Sequence, residues 1–250
     1  PGHARRRMKP FLLLSIRAER PAAEDEYAAF RRFLDVDDSG LHRRHLGAEP
    51  LGALSLDDWS GILLGGGSFT YSDPEESKSP AQRRTERDLV ALLDDVVAAD
   101  FPFLGACYGI GTLGSHQGGV VDRQHPEPVG PLSVTVTDEG AADPLFAGVP
   151  REFAAYGGHK EALARLPPHA TLLATSEACP VQAFRVGQHV YATQFHPELD
   201  RTGIHTRIDV YSTFGYFDPS EAADLHAASD RVEVTHPMTL LANFRARYAR

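Results

Sequence analysis

A chain of 250 residues with 42% hydrophobic and 24% charged side chains has the make-up of an ordinary globular protein with a substantial core. Acidic residues outnumber basic ones 34 to 25, a formal charge of -9 that disfavours nucleic acid or an anionic membrane as partner and suits small neutral or zwitterionic ligands. Two cysteines, Cys107 and Cys179, are too few for a disulfide framework, so a reducing cytoplasm is the expected location and Cys107 is left free to react.

At the start of the chain, Arg5-Arg6-Arg7 followed by Phe11-Leu12-Leu13-Leu14 superficially resembles an export signal. The apolar run is short and ends at Arg17, Glu19 and Arg20, and no other apolar stretch is long enough to span a bilayer. Residues 1–8 are expected to be a tag remnant or a disordered N-terminus, and residues 9–250 one domain. Phe11 to Ile16 reads as a buried strand of a parallel sheet, followed by a helix through Tyr27, Phe30 and Leu34. Gly61 to Leu64 is a second buried strand, ending at Gly65-Gly66-Gly67, and residues 68–80 read as loop. From Ala81 to Ala99, the residues Leu89, Leu92, Leu93, Val96 and Val97 fall at helical spacing. Phe101 to Ala106 is the next strand.

This alternation of strand and helix predicts a flavodoxin-like, doubly wound α/β fold, whose ligand sites lie beyond the carboxyl ends of the strands. The triple glycine and Cys107 both sit at such ends. The later half reads differently, with Leu132 to Thr137, Val181 to Val186 and His189 to Phe195 as strands. The last two are joined by a turn at Gly187-Gln188. Residues 219–229 and 237–249 read as closing helices, the second with Leu240, Leu241 and Phe244 on its apolar face.

Gly105-Ala106-Cys107-Tyr108-Gly109 places a thiol at a strand-turn-helix junction, where the amino-terminal end of the helix stabilises a thiolate. Gln194-Phe195-His196-Pro197-Glu198 supplies an imidazole and a carboxylate at another strand end, able to activate that thiol. A buried cysteine in a glycine-rich turn is commonly no more than a small apolar filler. The conjunction of elbow, helix and His-x-Glu favours catalysis over that reading. Gly109-Ile110-Gly111-Thr112-Leu113-Gly114 matches a dinucleotide-binding fingerprint, but it lies mid-chain behind Cys107 and lacks the acidic residue that should follow. The histidines His116, His125 and His205 show no zinc-ligand spacing, so no metal or cofactor is expected. Cys179, followed by Pro180, is assigned a structural or surface role.

These motifs resemble those of the class I glutamine amidotransferase family, in particular its GMP synthase-like branch. Gly65-Gly66-Gly67-Ser68 resembles the family's oxyanion loop, Gly118-Gly119-Val120 the segment closing the elbow helix, and Leu240 to Phe244 the terminal helix. The resemblance implies the family's fold, with a small additional antiparallel sheet, and a triad of Cys107, His196 and Glu198. Cys107 would form a γ-glutamyl thioester, His196 would transfer protons and Glu198 would orient the imidazole. Gly66, Gly67 and Tyr108 would form the oxyanion hole, and Gly65, Ser68, Gly111 and His159 would contact substrate. His159 is read equally well as a solvent-exposed loop residue.

One departure stands out: members commonly carry Gln four residues after the cysteine, where this chain has Gly111. Gln117 is a poor substitute, because six residues along a helix rotate by about 240°. Three functions follow as expectations. The first is glutamine hydrolysis with ammonia passed to a partner synthase, the second a self-sufficient hydrolase of γ-glutamyl amides or peptides, and the third a regulatory or binding protein without turnover.

Overall fold

The computed structural model describes residues 8–250; the expected tag remnant or disordered start falls on residues 1–7, outside the described residues. In chain order, β1 (Phe11–Ser15), α1 (Arg20–Phe33), β2 (Leu41–His45), β3 (Ile62–Leu64), α2 (Pro80–Ala98), β4 (Phe103–Ala106) and α3 (Tyr108–His116) build the first half. There follow β5 (Val120–Asp122), β6 (Glu127–Val136), α4 (Asp138–Ala142), β7 (Glu152–His159), β8 (Ala162–Arg165) and β9 (Thr171–Thr175). The chain closes with β10 (Ala183–Val186), β11 (Val190–Thr193), α5 (Arg201–Tyr211), α6 (Ala222–Asp230) and α7 (Pro237–Tyr248).

Among the described residues, nine strands form one mixed sheet in the order β2-β1-β3-β4-β11-β10-β9-β6-β7. The strands from β2 to β11 pair in parallel. From β10 onward each neighbour is antiparallel. A separate antiparallel pair, β5 with β8, is the expected small second sheet.

Alternation along the strands assigns each side chain to a layer, because successive residues point to opposite faces. Leu12 and Leu14 of β1, with Ile62 and Leu64 of β3, join a cluster that α2 and α3 cover through Leu89, Leu93 and Leu113. Phe11, Leu13 and Leu63 face the other way, onto Phe30 of α1 and Leu240 and Phe244 of α7. Burial of each such side chain stabilises the fold by about 1.5–3 kcal/mol. The Ser79 side chain caps α2 by accepting from the Gln82 N–H at 3.1 Å, and Pro80 occupies the first turn, where no N–H partner is needed.

Several elements differ from the sequence expectation. The polar edge strand β2 lacks the apolar run that marks a strand. The turn between β10 and β11 holds three residues, with Gly187 at φ 58° and Val186 paired to Val190. The helix expected over 219–229 begins as a short 3-10 turn, Pro219–Glu221, ahead of α6.

Candidate active site

Cys107 lies between β4 and α3 with φ 54° and ψ -94°, a backbone conformation that costs a non-glycine residue about 1–3 kcal/mol. Two hydrogen bonds hold it there: its N–H donates to the Thr193 carbonyl of β11 at 2.8 Å, and its own carbonyl accepts from the Ile110 N–H at 3.0 Å. The turn is this tight because of Gly105, where a Cβ would come within 2.9 Å of Gly109 Cα. The Cys107 thiol is thereby presented at the amino-terminal end of a nine-residue helix, whose dipole favours the thiolate.

His196 follows β11 and is tied to β7 by its N–H, which donates to the Tyr156 carbonyl at 3.0 Å. Its Nδ1 hydrogen bonds to Glu198 Oε1 at 2.8 Å, and the Glu198 side chain is wholly buried. Burial disfavours the charged imidazole, but the negative charges of Glu198 and of a Cys107 thiolate, together with hydrogen bonds to both, outweigh it and raise the His196 pKa. Burial likewise pushes Glu198 up, while His196 first and Arg207 second pull it down; the net result lies below the usual carboxylate range. The glycine loop closes the group. A Cβ on Gly66 would lie 2.9 Å from His196 Cε1 and 3.4 Å from Cys107 Cβ, so this stretch of backbone touches both side chains.

The structure also brings in residues that sequence reasoning missed. Arg17 donates from Nε to Glu26 Oε2 at 2.7 Å and from Nη1 to the Tyr211 hydroxyl at 2.9 Å. Arg207 Nη2 stands 3.8 Å from both Glu26 Oε2 and Glu198 Oε1. Alternating buried charges therefore run from Arg17 through Glu26 and Arg207 to Glu198. Removing one member of such a chain would leave a partner charge uncompensated, at a cost of about 3–5 kcal/mol. A sequence signal for Arg207 did exist. Asp200 caps α5 by accepting from the Gly203 N–H at 2.8 Å, and Ile204, Ile208 and Tyr211 repeat at helical spacing with Arg207 on the same buried face.

Two adjoining pockets meet at Cys107 and share Gly67, Gly158 and Tyr216. The first is lined by Arg17, His196, Arg207 and Tyr211 together with apolar Leu199 and Ile204. The second is lined by Tyr108, Gly111, His159, Lys160, Glu161 and Gln194. Of the expected substrate contacts, Gly111 and His159 therefore line a pocket, whereas Ser68 is not among the lining residues of either. Gly65 plays a different part, since a Cβ there would collide with Glu26 Oε1 at 2.5 Å and its bareness admits the Glu26 carboxylate beside the loop. At Gly111 a Cβ would meet Val121 at 3.7 Å and Tyr71 at 3.8 Å, which are ordinary contacts, so the space is unfilled rather than forbidden. Gln117 is engaged elsewhere, with His116 and His169.

His159 is not the solvent-exposed loop residue that one reading allowed. It ends β7, is buried, and hydrogen bonds through Nε2 to Glu127 Oε2 and through Nδ1 to the Glu161 carbonyl, both at 2.8 Å. The Glu161 carboxylate in turn accepts from the N–H groups of Tyr71 and Ser72, at 2.6 and 2.7 Å, and pins the loop after β3 beside the second pocket. Cys179 is fully buried, which excludes a surface role, and burial pushes its thiol up to about 12. Its sulfur lies with ligand atoms of Glu127 and His159 in a group spanning no more than 4.8 Å, a proximity the sequence spacing gave no sign of. Ser176 and Gln182 also donate to Glu127, so the group is knit by internal hydrogen bonds.

A family model described as glutamine amidotransferase class-I matches residues 51–208. The chain is 33% identical over 125 residues to the glutamine-hydrolysing subunit of GMP synthase from Thermococcus kodakarensis, a match covering 50% of this chain and 64% of that protein. It is 32% identical over 149 residues to the corresponding subunit from Thermoplasma acidophilum, covering 59% and 67%. Against the glutamine-hydrolysing GMP synthase of Thermosipho africanus the identity is 32% over 124 residues, covering 49% of this chain and only 23% of the relative. Among solved structures, a glutamine amidotransferase from Thermotoga maritima superposes with a TM-score of 0.75 at 21% identity, covering 96% of this chain and 98% of its own. One from Methylobacillus flagellatus gives a TM-score of 0.69 at 19% identity, covering 97% and 94%. At such identities the likeness is one of fold.

Proposed function

The chain belongs to the class I glutamine amidotransferase family, and we propose accordingly that it hydrolyses the side-chain amide of glutamine through a γ-glutamyl thioester on Cys107. The observation that carries this reading is the convergence on one point of a strained cysteine, a histidine oriented by a buried carboxylate, and a glycine backbone touching both. Cys107 Sγ attacks the amide carbon, and the carbon–nitrogen bond breaks as His196 hands its proton to the departing nitrogen. Water, deprotonated by the now neutral His196, then releases glutamate. Glu198 holds the imidazole in one tautomer throughout and stabilises its charged form. Backbone N–H groups of Gly66 or Gly67 and of Tyr108 face the developing oxyanion, each contributing about 3 kcal/mol.

The relatives are named as glutamine-hydrolysing components of GMP synthase, which supports a second part of the proposal: the ammonia passes to a separate synthase partner. Two free thiols suit a reducing compartment. The test is ammonia release from glutamine by the protein and by Cys107→Ala, with and without cell extract. Loss of release in the variant, at an unchanged circular dichroism spectrum, is expected; hydrolysis that persists would overturn the assignment. A glutamine-like electrophile is expected to label Cys107 and spare Cys179, whose thiol stays protonated.

A further inference from the structure

His196 lines the first pocket and not the second. When an amide is cleaved on Cys107, the leaving nitrogen is the atom that His196 protonates. Any group carried by that nitrogen therefore enters the first pocket, while the γ-glutamyl half takes the second, beside Lys160 and Glu161. Glutamine has nothing to place in the first pocket, because its leaving group is ammonia. Yet this pocket is built from apolar Leu199 and Ile204 and from two guanidinium groups, those of Arg17 and Arg207.

These guanidinium groups have donors to spare. Arg17 commits Nε and Nη1 to Glu26 and Tyr211, while its Nη2 has no hydrogen-bond partner among the described residues and lies 2.9 Å from where a Gly66 side chain would begin. Arg207 is only 5% exposed, and its Nε and Nη2 make no hydrogen bond among the described residues. Buried donors without acceptors are costly, and a planar guanidinium matches a carboxylate. The compensating carboxylates of Glu26 and Glu198 are fully buried and do not line the pocket, so the charge it presents is positive.

We propose that the first pocket receives the amine half of a γ-glutamyl amide whose amine bears a carboxylate, that is, a γ-glutamyl amino acid. The inference rests on the reading of Cys107 as the nucleophile. Cys107 Sγ bonds to the γ-carbonyl carbon, the carbon–nitrogen bond breaks, and the proton on His196 goes to the departing amine. Water then hydrolyses the thioester, so the products are glutamate and a free amino acid, and the thiolate and imidazolium are restored.

The experiment compares kcat/KM for glutamine, γ-glutamylglycine and its neutral counterpart γ-glutamylglycinamide. A preference of about tenfold or more for γ-glutamylglycine over γ-glutamylglycinamide is expected, falling toward unity in Arg17→Gln. Because Arg17 is buried in a charge network, Val129→Tyr on the half-buried wall of the same pocket provides a second arm. It is expected to slow γ-glutamylglycine at least fivefold more than glutamine. Equal rates for the two glycine compounds with glutamine still hydrolysed would overturn this inference and leave the glutaminase reading standing; equal slowing of all substrates by Val129→Tyr would do the same. Failure to cleave any of the three would overturn both.

Discussion

His196 owes its character to its neighbours. Burial alone would keep it neutral, and the charges of Glu198 and Cys107 reverse that preference. A histidine whose folded pKa is raised stabilises the fold fully below its ordinary value, and this contribution fades as pH rises through the raised one. Glu198 is lowered, so its contribution is complete above the ordinary carboxylate range and is lost as pH falls through the lowered value. Both contributions overlap at weakly acidic pH. Glu198→Gln removes the largest attraction for the imidazolium, so the His196 ring is expected to titrate at lower pH in this variant than in the parent protein. Ring nitrogen NMR checks this, and hydrolysis should fall by roughly 10²-fold or more. Cys107, His196 and Glu198 were legible because a local motif marks each: glycines around the thiol, and a histidine and glutamate two apart. Arg17, Glu26 and Arg207 were not, since no local pattern says that a charge near residue 17 meets one near residue 207.

The elements around Cys107 are spaced by glycine, and the two glycines flanking it are not equivalent. A methyl group on Gly105 would strike the Gly109 backbone at 2.9 Å, whereas one on Gly109 would make only ordinary contact with Leu64 at 3.5 Å. Gly105→Ala is expected to lower unfolding free energy in urea by about 1–3 kcal/mol. Gly109→Ala should be close to neutral or stabilising, because alanine favours the helix by up to about 1 kcal/mol. The same scale explains the missed elements. Strand β2 is an edge strand reading Leu-His-Arg-Arg-His, whose cations blunt the open edge and hide the alternation expected of a strand. One of those cations, Arg43, pairs with Glu24 of α1 at 2.8 Å. His159 reads as a loop residue because Gly157 and Gly158 precede it. Those glycines are part of β7, where Gly157 is paired with Gly130 of β6 and a Cβ would strike Leu132 at 2.5 Å.

Across the whole molecule, the sheet separates two apolar layers and sets the site at the carboxyl ends of β3, β4 and β11. The layer under α7 depends on Phe244, whose ring packs on Phe11 and Tyr248 with centroids 5.8 and 4.9 Å apart. Phe244→Ala is expected to cost about 3–5 kcal/mol in denaturant unfolding while leaving Cys107 as reactive as before, because the nucleophile stands at the strand ends and the cavity opens within the layer. No described helix is long and apolar enough to cross a membrane. The strand-helix alternation, the elbow and the His-x-Glu motif are written in the residues themselves, because backbone conformation and short-range chemistry leave their mark within a few positions. Three features emerge solely from the folded chain: Gly65 makes room for Glu26, His159 is buried on Glu127, and two guanidinium groups line a pocket beside the thiol. They depend on long-range packing of β1, α1, β7 and α5 around one end of the sheet, where burial and charge pairing are set by neighbours distant in the chain.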